Sequence, residues 1–223
     1  MALDKSKIRA ICFDIDGTLS ETDDQFVTKV EKLLWPAKIF LSHWEVRVLA
    51  RRLVMGSEAP ASLVYSWLDQ LGADHLLASV MKRTAGKGYR QKKFILVEGT
   101  QAILAHLSKK YPLAIVTARD ERSTTQFLDQ FGLTKYFKVI VTSQTCEHTK
   151  PFPDPLLYAA QVMGVKAENC LMVGDTTVDM KTGRRAGAQS VGVLCGFGTE
   201  KELLRAGADA ILATTADMKK ILM

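Results

Sequence analysis

The chain has 223 residues, 47% hydrophobic and 24% charged, enough for one α/β core with a smaller insert and too short for two independent large domains. Its net charge of +6 favours anionic partners. No Lys/Arg cluster is interleaved with aromatics as in a nucleic-acid binder, and the densest basic stretch, Lys87 to Lys93, reads as a solvated hinge.

The first predicted element is a buried strand over Ile8–Ile15, apolar except for Arg9 and the carboxylate at Asp14. Further strands are expected at Leu113–Ala118, Val139–Thr142, Cys170–Gly174 and Ser190–Leu194, with a short sixth at Ala210–Ala213. Helical periodicity falls between them at Gly99–Lys110, Ser123–Phe131, Asp154–Met163, Thr177–Ala186 and Thr199–Ala206. Pro155 suits the first turn of the third of these. Alternation of this kind predicts an α/β fold, a Rossmann-like parallel sheet with helices on both faces. Right-handed crossovers would bring every strand C-terminus to one edge, where ligands of such sheets bind.

Residues 20–93 break the alternation. Four helical patterns, Glu31–Leu41, His43–Met55, Ala61–Leu71 and Asp74–Thr84, are punctuated by Pro36, Gly56, Pro60 and Gly72. They predict an all-helical cap inserted after the first strand, leaving residues 1–19 and 94–223 as the core. The insert has twelve Lys/Arg against eight Asp/Glu, a basic lid suited to an anionic substrate, although most of those charges belong to solvated helix faces. No apolar run approaches a membrane span. Cys12, Cys146, Cys170 and Cys195 lack metal-ligand spacing, and Arg9 and Asp14 interrupt the N-terminal apolar stretch before signal-peptide length. A reduced, cytoplasmic protein is expected.

Each predicted strand end carries chemistry. The first is Asp14-Ile15-Asp16-Gly17-Thr18, in which Gly17 permits a tight turn and two carboxylates at a buried strand end call for a cation. The second ends in Thr117-Ala118-Arg119. Lys150-Pro151-Phe152-Pro153-Asp154-Pro155 follows the third, and Gly174-Asp175-Thr176-Thr177-Val178-Asp179 ends the fourth.

Together these motifs resemble those of the haloacid dehalogenase-superfamily hydrolases with a helical cap, in the branch of phosphoglycolate phosphatase and β-phosphoglucomutase, and the resemblance covers essentially the whole chain. The resemblance implies that Asp14 is a nucleophile forming an aspartyl-phosphate and that Asp16 is the general acid/base. It implies that Lys150 offsets charge on the nucleophile and the transferring group, and that the Thr117 hydroxyl binds phosphate. Backbone N–H groups at Gly17, Thr18 and Ala118 are candidate phosphate donors. Mg²⁺ is the implied cofactor, held by the side chains of Asp14 and Asp175 and the backbone carbonyl of Asp16, with Asp179 supporting the metal or capping its helix. Asp16 favours oxygen esters over halides, since the dehalogenase branch lacks this second aspartate.

The chain departs from the pattern at one position: many relatives have Asn after the motif Thr, and this chain has Ala118-Arg119. Arg119 has two open roles, contact with a second anionic group of the substrate or pairing at the surface with Asp120 or Glu121. Arg47 and Arg51, one turn apart on a predicted cap helix, are further specificity candidates, and Arg52 adjoins them. The expected activity is Mg²⁺-dependent hydrolysis of a small phosphorylated metabolite, without nucleic-acid or membrane partners. A phosphomutase, a pyrophosphatase and a non-catalytic phosphate-binding module are the alternatives, and no motif assigns an oligomeric state.

Overall fold

The computed structural model describes residues 3–21 and 94–222. Six strands form one sheet: β1 Ala10–Phe13, β2 Leu113–Val116, β3 Val139–Val141, β4 Cys170–Gly174, β5 Gln189–Val193 and β6 Ala210–Leu212. Their order is β3-β2-β1-β4-β5-β6, and every pairing is parallel. The helices are α1 Thr100–Leu107, α2 Glu121–Gln130, α3 Asp154–Met163, α4 Thr177–Arg185, α5 Glu200–Ala206 and the short α6 Lys219–Leu222. The expected α/β core is therefore present. The four helical patterns expected between residues 20 and 93, with Arg47, Arg51 and Arg52, fall outside the described residues.

Both faces of the sheet are covered, which is why its strands read as continuous apolar runs rather than alternating ones. The two faces use different sizes of side chain. On one, Ile11, Phe13, Ile115, Leu171 and Val173 pack with Ile103, Leu104 and Leu107 of α1 and Phe127 and Leu128 of α2. On the other, the small Ala10, Cys12, Ala114 and Cys170 meet Ala159 and Ala160 of α3, which lets that helix lie close to the central strands. Residues 10 to 13 are fully buried, so a change of even one methylene there is felt on both faces.

The strands end sooner than their apolar runs. Ile15 stays buried but leaves the ladder to build a turn, and Ala118 leaves it at an exposed position. The residue just past each end is nevertheless pinned: the Asp14 N–H donates to Val173 O at 2.9 Å and the Thr117 N–H to Val141 O at 2.9 Å. Side chains at these positions are held by the rigid part of the sheet. The chain runs outward from β1 to β3 and then returns to β4, so the order reverses beside β1, the place where sheets of this kind form a crevice.

The flanks of the insert meet. Ser20 and Leu96 form an antiparallel bridge, the Glu21 N–H donates to Ile95 O at 2.8 Å and the Val97 N–H to Leu19 O at 2.9 Å. The chain thus leaves and re-enters the core at one place, next to the Asp14–Thr18 turn.

Candidate active site

Three buried carboxylates form the floor of the crevice. Asp14 follows β1, Asp175 follows β4 and Asp179 lies in the first turn of α4, and each offers an oxygen within 4.8 Å of the others. Lys150 arrives on the loop after β3, at a cis bond to Pro151. Its Nζ stands 2.9 Å from Asp14 Oδ1 and 2.6 Å from Asp179 Oδ1, with the ammonium side chain only 1% exposed. The family resemblance implied a role for Lys150 at Asp14, but nothing in the sequence hinted at its contact with Asp179.

The aspartates are held differently. Asp179 closes a capping box: its Oδ2 accepts from the Thr176 N–H at 3.1 Å and the Thr176 hydroxyl at 2.7 Å, while Oδ1 faces Lys150. Capping the helix and supporting the acidic floor are thus done by one side chain. Asp175 Oδ1 accepts from the Thr18 hydroxyl at 3.3 Å and Oδ2 from the Phe197 N–H at 2.7 Å. A Cβ at Gly17 or Gly196 would run into the Asp175 carboxylate, and Gly17 also has a φ of +73°, so these two glycines make room for it.

Burial pushes the Asp14 carboxyl up to about 7; Lys150 opposes the rise, and Asp179 and Asp16 add to it. A site of hard oxygen donors crowded closely enough to disfavour ionisation fits a divalent cation such as Mg²⁺. Asp14 and Asp175 are the side chains that would hold it, with Asp179 behind them.

Asp16 stands apart from this floor. Its side chain is 37% exposed and lies outside the carboxylate cluster. Both of its oxygens are taken by one guanidinium: Arg119 Nε donates to Oδ2 at 2.6 Å and Nη2 to Oδ1 at 2.5 Å. Arg119 therefore pairs with neither Asp120 nor Glu121, and at 13% exposure it does not face solvent. Asp120 instead caps α2, accepting from the Ser123 N–H at 2.8 Å. The guanidinium carbon lies 4.8 Å from the Phe94 ring centre and 5.3 Å from that of Phe127.

Thr117 is buried, and its hydroxyl oxygen accepts from the Arg119 N–H at 3.2 Å. The N–H groups of Gly17 and Thr18 are spent inside their own turn, on Ser20 O at 2.8 Å and Ile15 O at 3.2 Å. Those of Ile15, Asp16 and Ala118 have no acceptor among the described residues, which leaves them as the available backbone donors. Of the expected backbone cradle, Ala118 keeps that capacity and Gly17 and Thr18 do not.

Residues 11–193 match the family model of the haloacid dehalogenase-like hydrolases. The chain belongs to this family. A phosphoglycolate phosphatase of Neisseria gonorrhoeae is 31% identical over 86% of this chain and 82% of its own length. One from Escherichia coli K12 is 24% identical over 95% and 91%. Among solved structures, a hydrolase from Pseudomonas syringae superposes with a TM-score of 0.70 at 28% identity, covering 96% of this chain and 97% of its own. This family member is a hydrolase acting on phosphoric monoester bonds.

Sequence reasoning missed two parts of the site. The loop Cys195-Gly196-Phe197-Gly198 after β5 supplies the Phe197 N–H to Asp175, and the Cys195 thiol donates to Gly17 O at 3.2 Å. A G-x-G directly after a strand on the ligand-bearing edge was the available signal. The other is the Phe94–Phe127 corner around Arg119, for which no local pattern exists.

Proposed function

We propose that the protein is a Mg²⁺-dependent phosphatase of a small phosphorylated metabolite, working through an aspartyl-phosphate on Asp14. The observation that carries this reading is the convergence of Asp14, Lys150, Asp175 and Asp179 in one buried cluster at the sheet edge, beside Thr117. The names of the relatives make 2-phosphoglycolate the first ester to test. A cytoplasmic setting belongs to the same reading and is supported by four free thiols, two of them buried.

In the first half-reaction a carboxylate oxygen of Asp14 attacks phosphorus and the ester oxygen leaves, taking a proton from Asp16. In the second, Asp16 accepts a proton from water, whose oxygen attacks the acyl phosphate; inorganic phosphate departs and Asp14 is regenerated. Lys150, in contact with Asp14, offsets part of the charge that gathers there. Thr117 and the N–H groups of Ile15, Asp16 and Ala118, which have no acceptor among the described residues, would be the donors for the phosphoryl oxygens. When bound, the divalent cation would neutralise charge on the phosphoryl group.

Phosphate release from a panel of monoesters, measured with Mg²⁺, with EDTA and with Asp14→Asn, tests the proposal. Hydrolysis should require both the metal and Asp14. Turnover that survives in Asp14→Asn would remove Asp14 as the nucleophile.

A further inference from the structure

We infer that Arg119 is a positioning residue, which sets the direction of the Asp16 carboxylate and through it the transfer of protons to and from the ester oxygen and water. The inference rests on the reading of Asp16 as the general acid/base given above.

Asp14 is oriented by burial and Lys150, and Asp175 and Asp179 by burial and several partners each. Asp16 has neither aid. It is more than a third exposed, no N–H of its turn bonds its carboxylate among the described residues, and a carboxylate so placed rotates freely unless something holds it. Arg119 is the group that does. A guanidinium bound through two nitrogens to two oxygens fixes the carboxylate plane as well as its position, which one hydrogen bond does not. Proton transfer needs its donor within hydrogen-bond reach of the reacting atom, so this orientation bears directly on rate.

Arg119 is itself immobilised. Its own N–H is tied to the Thr117 hydroxyl, its carbonyl accepts from the Ser143 N–H at 2.9 Å, and its guanidinium rests in the corner of Phe94 and Phe127, whose rings meet edge to face with centres 5.6 Å apart. Cation–π contact in a desolvated corner adds to that hold. The remaining nitrogen, Nη1, is buried with no hydrogen-bond partner among the described residues, so the side chain directs its bonding to Asp16. Phe127 comes from α2 and Phe94 from the strip that re-enters the core after residue 93, so the clamp is anchored on two separate segments.

The consequence is specific to the leaving group. An alkoxide leaves only with a proton, whereas p-nitrophenolate is stable as an anion and needs little help. Misplacing Asp16 must therefore slow alkyl phosphates more than p-nitrophenyl phosphate. The experiment compares kcat and KM for an alkyl phosphate from the panel and for p-nitrophenyl phosphate in the full-length wild type, Arg119→Ala, Arg119→Lys, Asp16→Asn and the double variant Arg119→Ala/Asp16→Asn. Arg119→Ala should lower kcat/KM, which reports the first half-reaction alone, for the alkyl ester about tenfold or more relative to the aryl ester. Arg119→Lys should recover only part of the loss, because an ammonium is a point donor that cannot span both oxygens. Added guanidinium should raise the alkyl rate of Arg119→Ala, and the double variant should lose no more than Asp16→Asn alone. Because the readout is a ratio within one protein, a partly unfolded population cannot imitate it.

Asp16→Asn lowering kcat/KM equally for both esters would overturn the acid/base reading. Asp16→Asn behaving as expected, with Arg119→Ala lowering kcat/KM equally for both esters, would overturn the inference about Arg119 alone.

Discussion

Asp14 and Asp16 sit two residues apart on one turn and live in opposite environments. Asp14 is enclosed on the acidic floor, pushed towards its neutral form by burial and contacted by Lys150. Asp16 is on the rim, partly in water, and paired with Arg119. The same side chain thus becomes a candidate nucleophile in one place and a candidate proton carrier in the other, through desolvation and partner rather than chemical identity. The lesson is that the motif supplies two carboxylates and the walls around it divide their work.

The contrast breaks most visibly under direct substitution. Asp14→Asn should reduce phosphate release by about 10⁴-fold or more, since groups that act as a unit lose most of their effect together. Steady-state and single-turnover assays with the same ester would measure it. In kcat/KM, Asp16→Asn should be milder on an aryl ester than on an alkyl ester, and equal losses would mean the two aspartates are not divided as described.

The next effect is on stability. Lys150→Met leaves the Asp14 and Asp179 carboxylates buried without the ammonium that touches both, and should destabilise the metal-free protein by about 3–5 kcal/mol. Urea unfolding in EDTA would read this. No such cost is expected on the rim, where Asp16 retains solvent.

The floor should also respond to pH and metal together. Asp14 rises from an ordinary 3.8 to about 7, so between those values the folded state binds more protons there than the unfolded chain. Its contribution is present below the lower value and is lost as pH rises through the upper one. The melting temperature of the metal-free protein should therefore fall across this window more steeply than that of Asp14→Asn. Mg²⁺ at a hundredfold over its Kd should restore about 2.7 kcal/mol at neutral pH and less in acid, where protons compete for the same oxygens.

The smallest effect sharpens the comparison by serving as a control. Asp120→Ala removes the α2 N-cap next to Arg119 and should cost about 1 kcal/mol in unfolding free energy. It should leave the ratio of alkyl to aryl turnover unchanged, which separates general loosening of this corner from loss of the clamp.

Much of the core was legible in the residue order. The buried runs at Cys170–Gly174 and Leu113–Val116 announced parallel strands because a sheet covered on both faces needs apolar side chains at every position. Thr176 and Asp179, three apart, announced both a helix start and a carboxylate at the sheet edge. The turn at Gly17 was legible for the same local reason, though not its second task of making room for Asp175. The short α6 escaped notice because four residues carry too little periodicity to register. Arg119 was visible as a departure from the family pattern, but its partner was not, since Asp16 lies 103 residues away.

By itself, then, the order of residues determined the α/β class, the sequence of strands and the four strand ends that carry chemistry, because burial and turn formation act over a few neighbouring residues. Only the tertiary structure decided what each charged group faces. Lys150 bridges Asp14 and Asp179, Phe197 lends its N–H to Asp175, and Arg119 clamps Asp16. These pairings join segments far apart in the chain, and the electrostatic character of a carboxylate depends on distances in space that no local pattern encodes.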